Sequence, residues 1–158
     1  MNHGILALAL GLAGVSLTAC GETAEAPAEA ESGIPGMSVT NARMVLAPVA
    51  GNPAAVYFDL AYEGERGLTI RRADVAAAES STLHQFGEYD FKVQMMEALP
   101  VAITKGDTVE FKPGDLHVMA MGVSPDLKPG DTTNVTLTVS GGGTYTFPAE
   151  VRAAGEDR

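Results

Sequence analysis

The stretch NVTLTV, residues 134–139, alternates strictly between polar and apolar side chains. Successive side chains of a β-strand point to opposite faces, so an extended chain here has one apolar face and one polar face. The apolar face carries Val135, Leu137 and Val139. The pattern therefore predicts a strand with one face in a core and the other in solvent.

Similar segments recur from Met37 onward. Runs rich in Val, Thr, Tyr, Phe and Leu are separated by Gly, Pro, Asn and Asp, and no segment shows a sustained helical period. We predict an all-β fold, a β-sandwich with Greek-key connections, with a small closed barrel as the alternative. The predicted strands are residues 38–46, 54–62, 68–77, 81–86, 91–98, 101–103, 108–111, 116–121, 134–139 and 144–151.

The length and charge of the chain limit its function. A chain of 158 residues has room for one domain of ordinary size. Twenty acidic and ten basic residues give a net charge of −10, the wrong sign for gripping nucleic-acid phosphates or an anionic lipid surface. We therefore exclude nucleic acid as a partner and expect a monomer.

The first twenty residues predict an export signal. They contain no Asp, Glu, Lys or Arg, are apolar over residues 5–17, and end in Leu17, Thr18, Ala19 and Cys20, which resembles a bacterial lipobox. Cys20 is predicted to be acylated and to anchor the protein to a bacterial membrane, with an ordinary secretory leader as the alternative. Because Cys20 is the only cysteine, the mature domain would have neither a thiol nor a disulfide.

Four segments follow from these patterns. We predict a lipoprotein signal peptide at residues 1–20 and a flexible acidic linker at 21–36, which is mostly Ala, Glu, Pro and Gly with little to bury. The metal-binding β-sandwich domain is predicted at residues 37–152, and a C-terminal tail at 153–158.

Two of the three histidines lie outside the leader, and both have methionines nearby. Side chains two apart on a strand share a face, so His117 and Met119 should point one way and Val118 the other. We expect neighbouring strands to bring His84 and Met95 to the same place, at one end of the sandwich.

The other methionines are weighed by the same parity rule. Met96 should face away from the methionine before it, so we assign it to the core or the surface. Met121 shares the face of His117 and stays undecided. A histidine on an apolar strand is more often a hydrogen-bonded core or surface residue than a ligand. That alternative leaves unexplained why both histidines fall beside methionines.

The candidate donor set consists of two imidazoles and a thioether, with no carboxylate and no thiolate. This set favours some metal ions over others. Calcium and magnesium want oxygen ligands, structural zinc prefers Cys and His, and blue copper needs a thiolate. Neutral, soft thioether sulfur favours Cu(I). We see no paired carboxylates and no activated nucleophile, so we predict a protein that holds Cu(I) and passes it on, and not an enzyme.

The order His84, ten residues, Met95, twenty-one residues, His117, one residue, Met119 resembles the motif of the periplasmic copper chaperones often called PCuAC. The resemblance implies a cupredoxin-like sandwich that binds Cu(I) through these four side chains. It also implies delivery to a copper-accepting apoprotein, a cytochrome c oxidase subunit or assembly factor, by a periplasmic protein anchored through Cys20.

Two alternatives stay open. The protein could buffer copper or confer copper resistance without delivering the metal to an oxidase. It could also be a non-metal β-sandwich lipoprotein whose acidic surface contacts a partner, in which case no property would depend on metal.

Overall fold

The computed structural model describes residues 33–156, and its ordered elements there are ten β-strands. The predicted signal peptide, Cys20 and most of the predicted linker lie outside the described residues. Within residues 33–156 no helix has the length and apolar character needed to cross a membrane. The strands are β1 Met37–Val45, β2 Ala54–Tyr62, β3 Leu68–Val75, β4 Ala78–Tyr89, β5 Lys92–Glu97, β6 Val101–Ile103, β7 Asp107–Phe111, β8 His117–Val123, β9 Thr132–Val139 and β10 Thr144–Arg152.

The strands hydrogen-bond in the order β5-β4-β8-β2-β1-β10-β9-β3-β6, and β7 also pairs with β2. The β1–β10 pair is parallel and the other pairs are antiparallel. β3 and β4 lie near opposite ends of this order but follow each other in the chain, and the Val75 amide donates to the Ser81 hydroxyl at 3.1 Å. The sheet therefore closes back on itself into packed layers, and the predicted all-β sandwich is confirmed.

Alternating side chains fill the space between the layers. Every second residue of β2 is buried, from Ala54 to Tyr62, and Val135, Leu137 and Val139 of β9 are buried as their pattern predicts. Phe58 is at the centre. Its ring stacks on Phe111 with centroids 4.0 Å apart and lies 4.9 Å from the ring of Phe147. This packing fixes which face of each strand is internal.

The β4–β5 hairpin differs from the prediction. The predicted strands 81–86 and 91–98 leave residues 87–90 as the turn between them, but β4 continues to Tyr89, and the chain reverses at Asp90 and Phe91, which have φ of 53° and 59°. Positive φ at both central residues is typical of a two-residue type I′ turn. Gly87 instead lies beneath the side chain of Met96, since a Cβ there would lie 3.0 Å from the sulfur of Met96.

Candidate metal centre

Adjacent strands bring the two histidines together. β4 and β8 pair in the register that sets His84 directly opposite His117, and their ring centroids are 6.1 Å apart. Val118, the next residue of β8, is fully buried in the core. His117 therefore belongs to the opposite, outer face of this layer. The pair lies on the outer face of its strands, and His117 is the first residue of β8.

The thioethers follow the same parity. Met119 lies opposite Thr82 of β4 and Ala55 of β2, on the outer face with the histidines. Met95 lies opposite Phe86, two residues beyond His84 on the same face, and its side chain is 42% exposed. The structure thus places the four motif side chains on one face.

Met96 and Met121 occupy different positions. Met96 lies opposite Gln85 and reaches over Gly87, on the other face of the hairpin. Met121 keeps the outer face but lies opposite Ser80, four residues along β8 from His117. At about 3.3 Å per residue that is about 13 Å, twice the offset of Met119. Met121 is therefore outside a centre built around the histidine pair.

The ring of His117 is held by the turn before β8. Its Nδ1 lies 2.7 Å from the backbone carbonyl oxygen of Asp115, and the side chain is only 3% exposed. A carbonyl oxygen only accepts hydrogen bonds, so Nδ1 carries a proton, and in the neutral ring Nε2 keeps its lone pair. Orientation of a ligand histidine by a backbone carbonyl is typical of metal sites.

His84 presents a nitrogen without a partner. Its Nδ1 is buried, and no hydrogen-bonding group among the described residues reaches it. Burial lowers the pKa of His84 below its ordinary value of 6.5, the neighbouring His117 lowers it further, and Glu97 opposes both. A buried nitrogen without a partner is costly to folding. A metal ion bound at this nitrogen would remove that cost.

Aromatic rings flank the pair. The centroids of Tyr57 and Phe86 lie 6.2 Å and 6.0 Å from that of His117, and the Arg43 guanidinium lies 5.2 Å from the centroid of Tyr57. The motif did not identify these rings. Phe86 could have been found by parity from His84, whereas Tyr57 comes from β2 and depends on the strand order.

The rest of the described chain offers no competing site of the usual kind. Among residues 33–156 no three His, Cys, Asp or Glu side chains are grouped so that they could hold a metal ion. A metal at the histidine pair would therefore take its further protein ligands from thioethers. Such a donor set is neutral and suits a soft, monovalent ion.

Sequence comparison identifies relatives over nearly the whole domain. The sequence model of the family described as "Putative lipoprotein LpqE-like" matches residues 37–151. The "Putative lipoprotein Lxx21020" of Leifsonia xyli subsp. xyli (strain CTCB07) is 32% identical over 151 residues, which is 94% of this chain and 86% of that protein.

Solved structures share the fold. The solution structure of CuI-DR1885 from Deinococcus radiodurans is 25% identical, with a TM-score of 0.58 and coverage of 85% of this chain and 89% of that one. Apo-DR1885 is 24% identical, with a TM-score of 0.61 and full coverage of both chains. The copper-bound PCuAC domain from PmoF2 is 17% identical, with a TM-score of 0.62, covering 78% and 97%. The predicted cupredoxin-like fold is thereby confirmed.

Proposed function

This chain belongs to the LpqE-like family, and from that premise we propose that it is a copper chaperone that holds Cu(I) on the outer face of β4, β5 and β8. One observation carries the proposal. The buried, unpartnered Nδ1 of His84 lies on the strand paired to His117, and the Asp115 carbonyl leaves the Nε2 lone pair of His117 free. These two nitrogens are the proposed imidazole donors.

Met95 and Met119 are the proposed thioether donors. Both lie on the face of the histidines, and both are neutral, soft ligands of the kind that favours Cu(I). The exposure of Met95 leaves one side of the site open. An acceptor can therefore replace this ligand while the buried His117 still holds the ion, which suits transfer by ligand exchange. Met121 is left out of the ligand set.

The proposed acceptor is an apoprotein such as a cytochrome c oxidase subunit or assembly factor. The proposed location is the periplasmic side of a bacterial membrane, with acylated Cys20 as anchor and residues 21–36 as tether. The family description and the Leifsonia relative, which both carry the word lipoprotein, support the anchor. The Cu(I)-bound structure of DR1885, which shares the fold, supports the metal.

Copper titration tests the proposal directly. We expect the purified chain to take up one equivalent of Cu(I) under anaerobic conditions in competition with a Cu(I) chelator. A ligand that binds only the folded state raises its stability by about 2.7 kcal/mol at a free concentration of about 100 times Kd. The melting temperature should therefore rise with Cu(I) and not with Mg²⁺. No uptake and no rise would instead favour the non-metal interaction lipoprotein.

The affinity should depend on pH in a direction set by His84. Copper binds the neutral imidazole, so protons compete only near or below the histidine pKa. Because burial lowers the pKa of His84 below 6.5, neutral ring persists to lower pH than in a free imidazole. We expect a constant affinity above about pH 6.5 and a weaker one at pH 5. Chelator competition over this range measures it, and an unchanged affinity at pH 5 would count against histidine ligation.

A further inference from the structure

Exposed apolar side chains are concentrated on one hairpin. Among the described residues seven large hydrophobic side chains are exposed, and Val49 is the only one of them far from the β4–β5 hairpin. We call the other six the hairpin patch. Five members lie on the hairpin itself, namely Phe86, Tyr89, Phe91, Val93 and Met95, and the sixth, Leu99, follows β5 by two residues. Exposed apolar side chains collected in this way mark interaction sites more often than side chains exposed singly.

Phe91, at the tip of the hairpin, is not explained by folding. Its φ of 59° lies in the left-handed region, where glycine or asparagine is favoured and a bulky residue is strained. Its side chain is 94% exposed, so burial of the ring does not offset the cost of the backbone strain. A strained residue that contributes no packing points to a role outside the fold.

The hairpin also forms one edge of the sheet. Among the described strands β5 pairs with β4 alone, so one edge of Lys92–Glu97 has free backbone donors and acceptors. Proteins usually protect such edges, because an open edge accepts a further strand. An extended segment of a partner can bind here through main-chain hydrogen bonds, with side-chain contacts that give specificity.

The acidic side chains around the hairpin patch determine the charge that a partner should have. Glu88, Asp90 and Glu97 are exposed, no salt bridge to a described Lys or Arg engages them, and Lys92 is the only Lys or Arg of the hairpin. A second copy would bring the same acidic hairpin from a chain of net charge −10, so self-association is opposed. A basic rim on the partner is complementary.

We propose that the β4–β5 hairpin is a docking surface for a protein that adds a strand of alternating apolar and basic side chains to the free edge of β5. Met95 is part of the hairpin patch, so the docked strand lies against an exposed thioether of the metal centre. That the docked protein is the one exchanging copper rests on the proposed function. Docking itself needs no metal.

The probe is a blocked synthetic peptide of about eight residues that alternates Val with Lys and has no His, Met or Cys. Two matched peptides serve as controls, one with Glu in place of Lys and one with Ser in place of Val. We expect saturable shifts of the backbone amide NMR signals of residues 86–97 with the Val-Lys peptide only, in the apo protein. Val-Lys binding should persist after one equivalent of Cu(I).

The variant Phe91→Gly with Val93→Thr separates docking from folding. Glycine suits the positive φ of the turn and threonine suits a strand, so the hairpin should form at least as well. We expect about tenfold weaker peptide binding and unchanged Cu(I) uptake. Three outcomes overturn the proposal: no saturable shift, equal binding of the Ser-Lys peptide, or binding of the hairpin to phosphatidylcholine vesicles in place of the peptide. If the parent protein takes up no Cu(I) but still binds the Val-Lys peptide, the copper site is refuted and the docking surface stands.

Discussion

Replacing His117 with alanine should weaken Cu(I) binding by at least about 100-fold. Loss of a group that merely orients a metal ligand costs about 10- to 100-fold, and His117 is proposed as a ligand itself. Its side chain is on the outer face, so the substitution leaves the core residue Val118 in place. Competition titration of the parent and the variant against the same Cu(I) chelator measures the change.

Met121→Leu is the matched control for this variant. Met121 lies on the same strand and the same face as His117 but opposite Ser80, away from the histidine pair. Leucine conserves the volume, so we expect its Cu(I) affinity to stay within about twofold of the parent. If His117→Ala does not fold, as judged by circular dichroism, His117→Gln provides a polar substitute. A folded His117 variant with parental affinity would refute the site.

Most of the fold was predictable because strand alternation is a local pattern. In β9 the apolar set beginning at Val135 follows directly from a period of two, and the structure buries those residues. The turn after β4 was not predictable in the same way. Gly87 is a turn residue by type, yet here it makes room for Met96, while the chain reverses at Asp90 and Phe91 without a glycine.

The site was predictable only in part. Parity alone puts His117 and Met119 on one face and separates Met96 from its neighbour, as the structure shows. The pairing of His84 with His117 could not be predicted from parity. It depends on β8 lying between β4 and β2, which is a long-range choice that no local pattern states. The carbonyl that orients His117 was missed for a simpler reason, since backbone groups leave no mark on the residue types.

Adjacent methionines of β5 offer the second test. Met95→Leu should weaken Cu(I) binding about tenfold or more, because it removes a proposed donor sulfur at nearly constant volume. Met96→Leu should leave the affinity within about twofold, because Met96 lies on the other face, over Gly87. The two variants share a strand and a substitution, so any general effect on the hairpin appears in both. Parallel chelator titrations give the comparison.

Comparing the losses of Cu(I) affinity in the two variants shows what the methionines of β5 do. A loss confined to Met95→Leu means that the sulfur itself binds, because leucine keeps an apolar side chain opposite Phe86 in the hairpin. Equal losses would mean that the methionines act by packing the hairpin, and the melting temperature of the apo variants would fall with them. No loss in either would leave Met119 as the one thioether donor. In that case the histidine pair, and not the exposed methionine, would set the affinity.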